Sequence, residues 1–219
     1  MSEKSIVTTN EKAVNYESGY SLIELLTVMT TILILLGSAM SLFSGAISTK
    51  MREGRRTDAL VSARSALNLI SNEIANSGYG LLGSDGLPSN GISLTDSTNQ
   101  RIHFRANIQN NNSSPSDEGE DVTYFFDSAT QSISRLDPNS KTQTSNVVNQ
   151  ISSINFQYFD YVGANSTPVE VATPSVNTSR IRISIAIQLD SVPNQPRNQT
   201  VTLTSEVVLR NSRYMLNQY

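Results

Sequence analysis

The chain has no cysteine and no tryptophan, and only one histidine, among its 219 residues. Without cysteine there is no disulfide framework, no thiolate nucleophile and no thiolate metal site. That absence leaves the compartment open, because an oxidising space permits disulfides without requiring them. The single histidine, His103, leaves acid–base chemistry near neutral pH with one ordinary candidate. Charge is scarce and nearly balanced: 16 Lys and Arg stand against 19 Asp and Glu, a net −3. No overall basic field argues for nucleic acid, and no nucleic-acid partner is expected. No P-loop or dinucleotide fingerprint occurs. A Ser–Asp–His set can be assembled from any serine-rich chain and carries no information. No catalytic residue emerges, and the chain is expected not to be an enzyme.

What the sequence does have is one long apolar run. Mean hydropathy is −0.25 in spite of it, so the remainder is very polar; residues 78–219 are crowded with Ser, Thr, Asn and Gln. The run extends from Leu22 to Ile47, 26 residues, where a helix needs about 20 to cross a bilayer's hydrocarbon core. A secretory signal has an apolar core of roughly 7–15 residues and a small-residue cleavage site after it. This run is too long, and nothing like A-x-A follows. Between Ser21 and Thr49 the only charged residue is Glu24. A carboxylate at membrane depth is costly unless paired. Before the run lie Lys4 and Lys12 against Glu3, Glu11 and Glu17; after it come Lys50, Arg52, Arg55 and Arg56 against Glu53. By the positive-inside tendency alone, the C-terminal side would stay in the cytoplasm.

The stretch "GYSLIELLTVMTTILILL" resembles the N-terminal signature of type IV prepilins and type II secretion pseudopilins. There a glycine precedes an aromatic or apolar residue, and a glutamate stands fifth after the cut. Gly19, Tyr20 and Glu24 occupy those places. The resemblance implies a leader over residues 1–19 and cleavage between Gly19 and Tyr20 by a membrane prepilin peptidase. It also implies N-methylation of Tyr20 and an anchor whose C-terminal side lies outside the cytoplasm, opposite to the charge argument. In the family the fifth-position glutamate pairs with a neighbouring subunit's N-terminal amine, which assigns Glu24 to assembly. The leader departs from many pilins in being long and net negative, and the first mature residue is Tyr rather than Phe.

No proline interrupts residues 20–77, and "NSGYG" at Asn76 to Gly80 is the first strong stop. Leu60, Ala63, Leu67, Ile70 and Ile74 recur at intervals of 3 and 4, one apolar stripe on a helix. Arg55, Arg56, Asn68, Asn72 and Glu73 fall off it. The expected helix is apolar all round over residues 20–47 and amphipathic over 48–77. Gly37, with Ser38 and Ser41, reads either as a local weak point, since glycine lowers helix stability by about 1 kcal/mol relative to alanine, or as small residues for close packing against another helix. Lys50, Arg52, Arg55 and Arg56 read as a solvated face beside the membrane, with lipid headgroups or DNA as the alternatives.

From Gly80 onward alternation takes over, and residues 78–219 are expected to form a β-rich head. "RIRISIAIQL" puts Ile181, Ile183, Ile185, Ile187 and Leu189 on one face, and "TVTLTSEVVLR" returns with Val201, Leu203, Val207 and Leu209. These predict an antiparallel hairpin across "SVPNQPRNQ". Further strands are predicted at Ile102–Ile108, Asp121–Asp127, Gln131–Leu136 and Ile151–Tyr161, with a turn at Ser128 to Thr130. The class is α+β: a long N-terminal helix packed on an antiparallel β-sheet head. The layout resembles PilW-type minor pilins, with pseudopilin J of type II secretion as a near relative.

One acidic run is a metal candidate. Asp117, Glu118, Glu120 and Asp121 surround Gly119 and could offer oxygen ligands to calcium, which takes several. Some pilins and pseudopilins bind calcium in loops. The spacing is not that of an EF-hand, and a solvated turn is preferred; no other cofactor is expected. His103 reads as structural or surface. The resemblance implies a minor type IV pilin that primes or caps pilus assembly. Its partners would be prepilin peptidase, other major and minor pilins, the inner-membrane assembly machinery and membrane lipid. It would lie in the bacterial inner membrane and, after assembly, in the pilus at the cell surface. The alternatives are a type II secretion pseudopilin and a tip adhesin or DNA-uptake module.

Overall fold

The computed structural model describes residues 19–110, 114–161, 167–189 and 199–218. Residues 1–18 of the expected leader (1–19) and most of the expected turn "SVPNQPRNQ" lie outside them. By its internal contacts the chain divides into two units, Met1–Ile47 and Ser48–Tyr219. One helix, α1 (Leu22–Ala75), contributes to both. It runs unbroken through Gly37. Ser21 opens it, its carbonyl accepting from the backbone N–H of Glu24 and Leu25 at 3.0 and 3.1 Å.

In the first unit every residue from Leu22 to Ile47 is exposed. No interior claims any face of this segment, as expected of a helix that is apolar all round. Its hydropathy and length suffice to cross a membrane.

In the second unit the rest of α1 is amphipathic. Ala63, Leu67, Ile70 and Ile74 are buried and Leu60 is partly so, joined by Ala66 and Ala75. These residues share one core with two antiparallel four-stranded sheets. The first sheet has the order β1-β2-β3-β4, formed by β1 (Arg101–Arg105), β2 (Asp121–Asp127), β3 (Ser132–Leu136) and β4 (Thr144–Val148). The second has the order β6-β5-β7-β8, formed by β5 (Ile151–Asp160), β6 (Val169–Val171), β7 (Thr178–Gln188) and β8 (Thr200–Val208). A short helix, α2 (Arg213–Leu216), follows and is capped by Ser212, whose hydroxyl accepts from the Met215 N–H.

The isoleucine strand behaves as its alternation requires. Ile181, Ile183, Ile185 and Ile187 are essentially fully buried, and β7 pairs with β8 in register from Arg180↔Val208 to Gln188↔Thr200. Two strands appear that alternation did not reveal, β4 and β6. Each is an edge strand of one sheet, and the strands form two sheets rather than the one expected. The first strand also stops earlier than its apolar pattern: it ends at Arg105, one further ladder bond runs from the Ala106 N–H to the Glu120 carbonyl, and the Asn107 N–H then turns away to the Tyr79 carbonyl.

The helix stop is a tight crossing. Gly78 and Gly91 both have positive φ, and a Cβ on Gly91 would sit 2.2 Å from the Gly78 nitrogen. Here the Gly78 N–H donates to the Arg105 carbonyl and the Arg105 N–H to Gly91, both at 2.8 Å. The Ser77 hydroxyl donates to the Asn90 carbonyl beside them. Together these bonds fasten the end of α1 to β1.

Candidate functional site

Gly19, Tyr20 and Ser21 precede the first turn of α1 in non-helical conformation, and Tyr20 is 85% exposed. The peptide bond between Gly19 and Tyr20 therefore lies outside the helix, between two exposed residues. Glu24 sits in the helix's first turn, where a carboxylate faces the positive end of the helix dipole. Its side chain is exposed among Leu22, Ile23, Leu25 and Leu26, all exposed too.

The acidic run resolves into four separate roles. Glu120 is fully buried, and its carboxylate accepts from the backbone N–H of Gln109 and Asp117 at 2.8 and 3.1 Å. Glu118 accepts from the Ser140 hydroxyl at 2.7 Å. Asp121 turns the other way, to His103 and Arg105. Asp117 anchors the loop through its carbonyl, which accepts from the Asn139 amide, while its Oδ2 is buried with no partner among the described residues. Among the described residues no group of three or more such side chains is placed to hold a metal ion. The run is a turn with Glu118 exposed and Asp117 and Asp121 half-buried, but it is not solvated throughout, because the fully buried Glu120 fastens it from inside. Backbone donors converging on a single carboxylate relieve the burial penalty of the charge.

Two polar clusters were missed by sequence reading. In the first, Glu73 of α1 accepts from the Tyr124 hydroxyl at 2.8 Å and from Arg135 Nε at 3.1 Å. The other side of Arg135 donates to Asp137 Oδ2 at 3.1 Å. Asp137 is fully buried and also accepts from the N–H of Gly119 and Asn139. The cluster ties the helix to the first sheet and to the acidic loop. Burial, and then the Glu73 charge, push the Tyr124 phenol well above its usual range.

The second cluster surrounds His103, which lies on β1 and is 8% exposed. Its Nδ1 lies 3.1 Å from Asp96 Oδ2 and its Nε2 2.7 Å from Asp121 Oδ1. Arg105 Nε donates to the second oxygen of Asp121 at 3.0 Å. Hydrogen bonds from His103 and from the Ser93 hydroxyl hold the Asp96 carboxyl below the usual range. Both ring nitrogens meet the protein's own carboxylates, so the cluster clasps His103 between two segments of the chain.

A groove of about 530 Å³ runs between Arg55–Ser62 of α1 and residues 147–150. A second, of about 400 Å³, lies between Thr98–Asn99 and the outer side of β5 and β6. Neither gathers titratable groups into a reacting centre. No family model, no curated protein and no solved structure matches the chain.

Proposed function

We propose that the chain is a minor type IV pilin: a prepilin cleaved between Gly19 and Tyr20, methylated at Tyr20, anchored by its apolar helix, and used to prime or cap pilus assembly. One observation carries this reading. At the prepilin spacing, Gly19 and Tyr20 stand just ahead of an apolar helical segment with no buried residue, and Glu24 stands in its first turn. The non-helical Gly19–Tyr20 junction supports access for a peptidase. The exposed Glu24 supports an assembly role, since a carboxylate among lipid-facing side chains is relieved by a partner's amine. The head then lies outside the cytoplasm. The partners are the prepilin peptidase, other pilins, the inner-membrane assembly machinery and membrane lipid.

N-terminal sequencing and mass measurement of the membrane form test the reading directly. The expected result is a chain beginning at Tyr20 with a methylated amine. A start at any other residue overturns it. Glu24→Ala is expected to be cleaved normally and to enter filaments poorly; wild-type incorporation would remove the assembly role from Glu24.

A further inference from the structure

We propose that the free edge of β8 pairs with the same edge of a second copy of the chain, antiparallel about a two-fold axis at Leu203. Each sheet ends in two edge strands, and β8 differs from the others. Residues 91–93 cover β1, where the Arg105 N–H donates to the Gly91 carbonyl and the Ser93 N–H to the His103 carbonyl. Strand β6 has three residues, and β4 has five with a shift in its register on β3. Strand β8 has nine, TVTLTSEVV, in unbroken register on β7. Threonine and valine favour extended backbone, and β8 carries none of the prolines, lysines or bulges that blunt an exposed edge.

The pairing with β7 fixes which backbone groups are free. The Leu209 N–H donates to the Ser179 carbonyl and the Leu189 N–H to the Gln199 carbonyl, so the odd-numbered residues of β8 exchange bonds with β7. Bonding direction alternates along a strand. The N–H and C=O groups of Thr200, Thr202, Thr204 and Glu206 therefore point out of the sheet, and none has a partner among the described residues. Past Glu206 the end of α1 closes the edge, where the Arg210 N–H donates to the Ala75 carbonyl.

A row of backbone donors and acceptors is answered by another strand. A second copy closes two such edges at once, in the two-fold symmetry commonest among oligomers. The open stretch from Thr200 to Glu206 is centred on Leu203. Pairing about that centre sets Thr202 opposite the partner's Thr204 and Glu206 opposite the partner's Thr200. The one charge on the strand thus faces a hydroxyl, where like charges directly opposite would repel. Leu203, only partly buried within one head, meets the partner's Leu203 at the axis.

The test uses the full chain in mild detergent. The chain has no cysteine, so one introduced thiol reports alone. At the axis the two Leu203 Cα atoms stand about 4.5 Å apart, within the roughly 4.4–6.8 Å that a disulfide takes. Leu203→Cys is expected to form a disulfide dimer on mild oxidation. Thr200→Cys, displaced from its own copy by roughly 20 Å along the strands, is expected to stay uncrosslinked. By light scattering the wild type is expected to be a dimer, and Thr202→Pro and Thr204→Pro to be monomers. Each proline removes an N–H that faces outward and leaves the ladder to β7 intact; circular dichroism checks that both variants fold, and if they do not, the cysteine pair decides. A monomeric wild type, or equal cross-linking by the two cysteine variants, overturns the proposal. A dimer that survives both prolines also overturns it and assigns association to the apolar half of α1.

Discussion

A Cβ on Gly91 would come within 2.2 Å of the Gly78 nitrogen and 2.3 Å of the Arg105 carbonyl oxygen, at a φ of +73°. A left-handed conformation alone costs a side chain about 1–2 kcal/mol; here the clash with unyielding backbone is added. Gly91→Ala is therefore expected to lose more than about 3 kcal/mol of stability by denaturant melting. Gly86→Ala, with φ +72° but open space around its Cβ, is expected to lose only the conformational part, about 1–2 kcal/mol. Equal losses at the two sites would mean that the crossing at the end of α1 is not as tight as described. At Glu73 the relevant quantity is an orphaned partner. Glu73→Ala strips an acceptor from the Tyr124 hydroxyl and from Arg135, and about 1–3 kcal/mol is expected to go with it. Glu73→Gln keeps an acceptor and is expected to lose less; if the two variants melt alike, the hydrogen bonds are not what Glu73 contributes.

Among the elements, α1 shows how one helix obeys two environments. Its stripe from Leu60 to Ile74 was legible because a 3.6-residue period survives any tertiary context in which one side is buried. Ile70→Ala is expected to cost about 2–5 kcal/mol, since Ile70 is fully buried. Leu69→Ala, on the neighbouring exposed position, is expected to stay within about 0.5 kcal/mol; thermal melts of the pair check the orientation of the stripe. The β7–β8 hairpin was legible for the same kind of reason, with a period of 2. Strand β4 was not. Its sequence TSNVV carries no alternation, its first three residues are exposed, and it is a strand because β3 offers a ladder beside it. Strand β6 has three residues, only one of them partly buried. It too is made by its neighbour, β5.

For the whole molecule, the titrating groups set two limits to stability. Asp85, Asp96, Asp127 and Glu206 are all held below their ordinary values, chiefly by hydrogen bonds from the Leu87 N–H, His103, the Thr130 hydroxyl and Arg182 respectively. A depressed carboxylate contributes stability above its unfolded pKa and loses it as pH falls through the folded one. The acid limb should therefore appear below about pH 4.5, and it should be shallow because these groups lie at the surface. Tyr124 and Tyr158 are shifted upward, both first by burial. A raised tyrosine contributes fully below its unfolded value near 10 and loses that contribution as pH climbs beyond it. Melting temperature is expected to drop below about pH 4.5 and again above about pH 10. A rise on acidification through pH 4 would contradict the acid limb. Ultraviolet titration should show two of the eight tyrosines ionising only as the fold opens.

What the sequence determined by itself was everything written at short range. The Gly19–Tyr20–Glu24 spacing, the uninterrupted apolar run, the helical stripe and the isoleucine strand depend on residues a few positions apart. Local spacing places such side chains on a common face before any long-range contact forms. The tertiary structure alone decided which polar groups meet. Glu73 finds Tyr124 and Arg135 across 51 and 62 residues of chain, His103 is clasped by two aspartates from different segments, and Glu120 turns inward from an acidic run that looked solvated. No local period encodes those encounters. They exist because closing the core brings distant segments within hydrogen-bond reach, and a buried charge must then find its partners there.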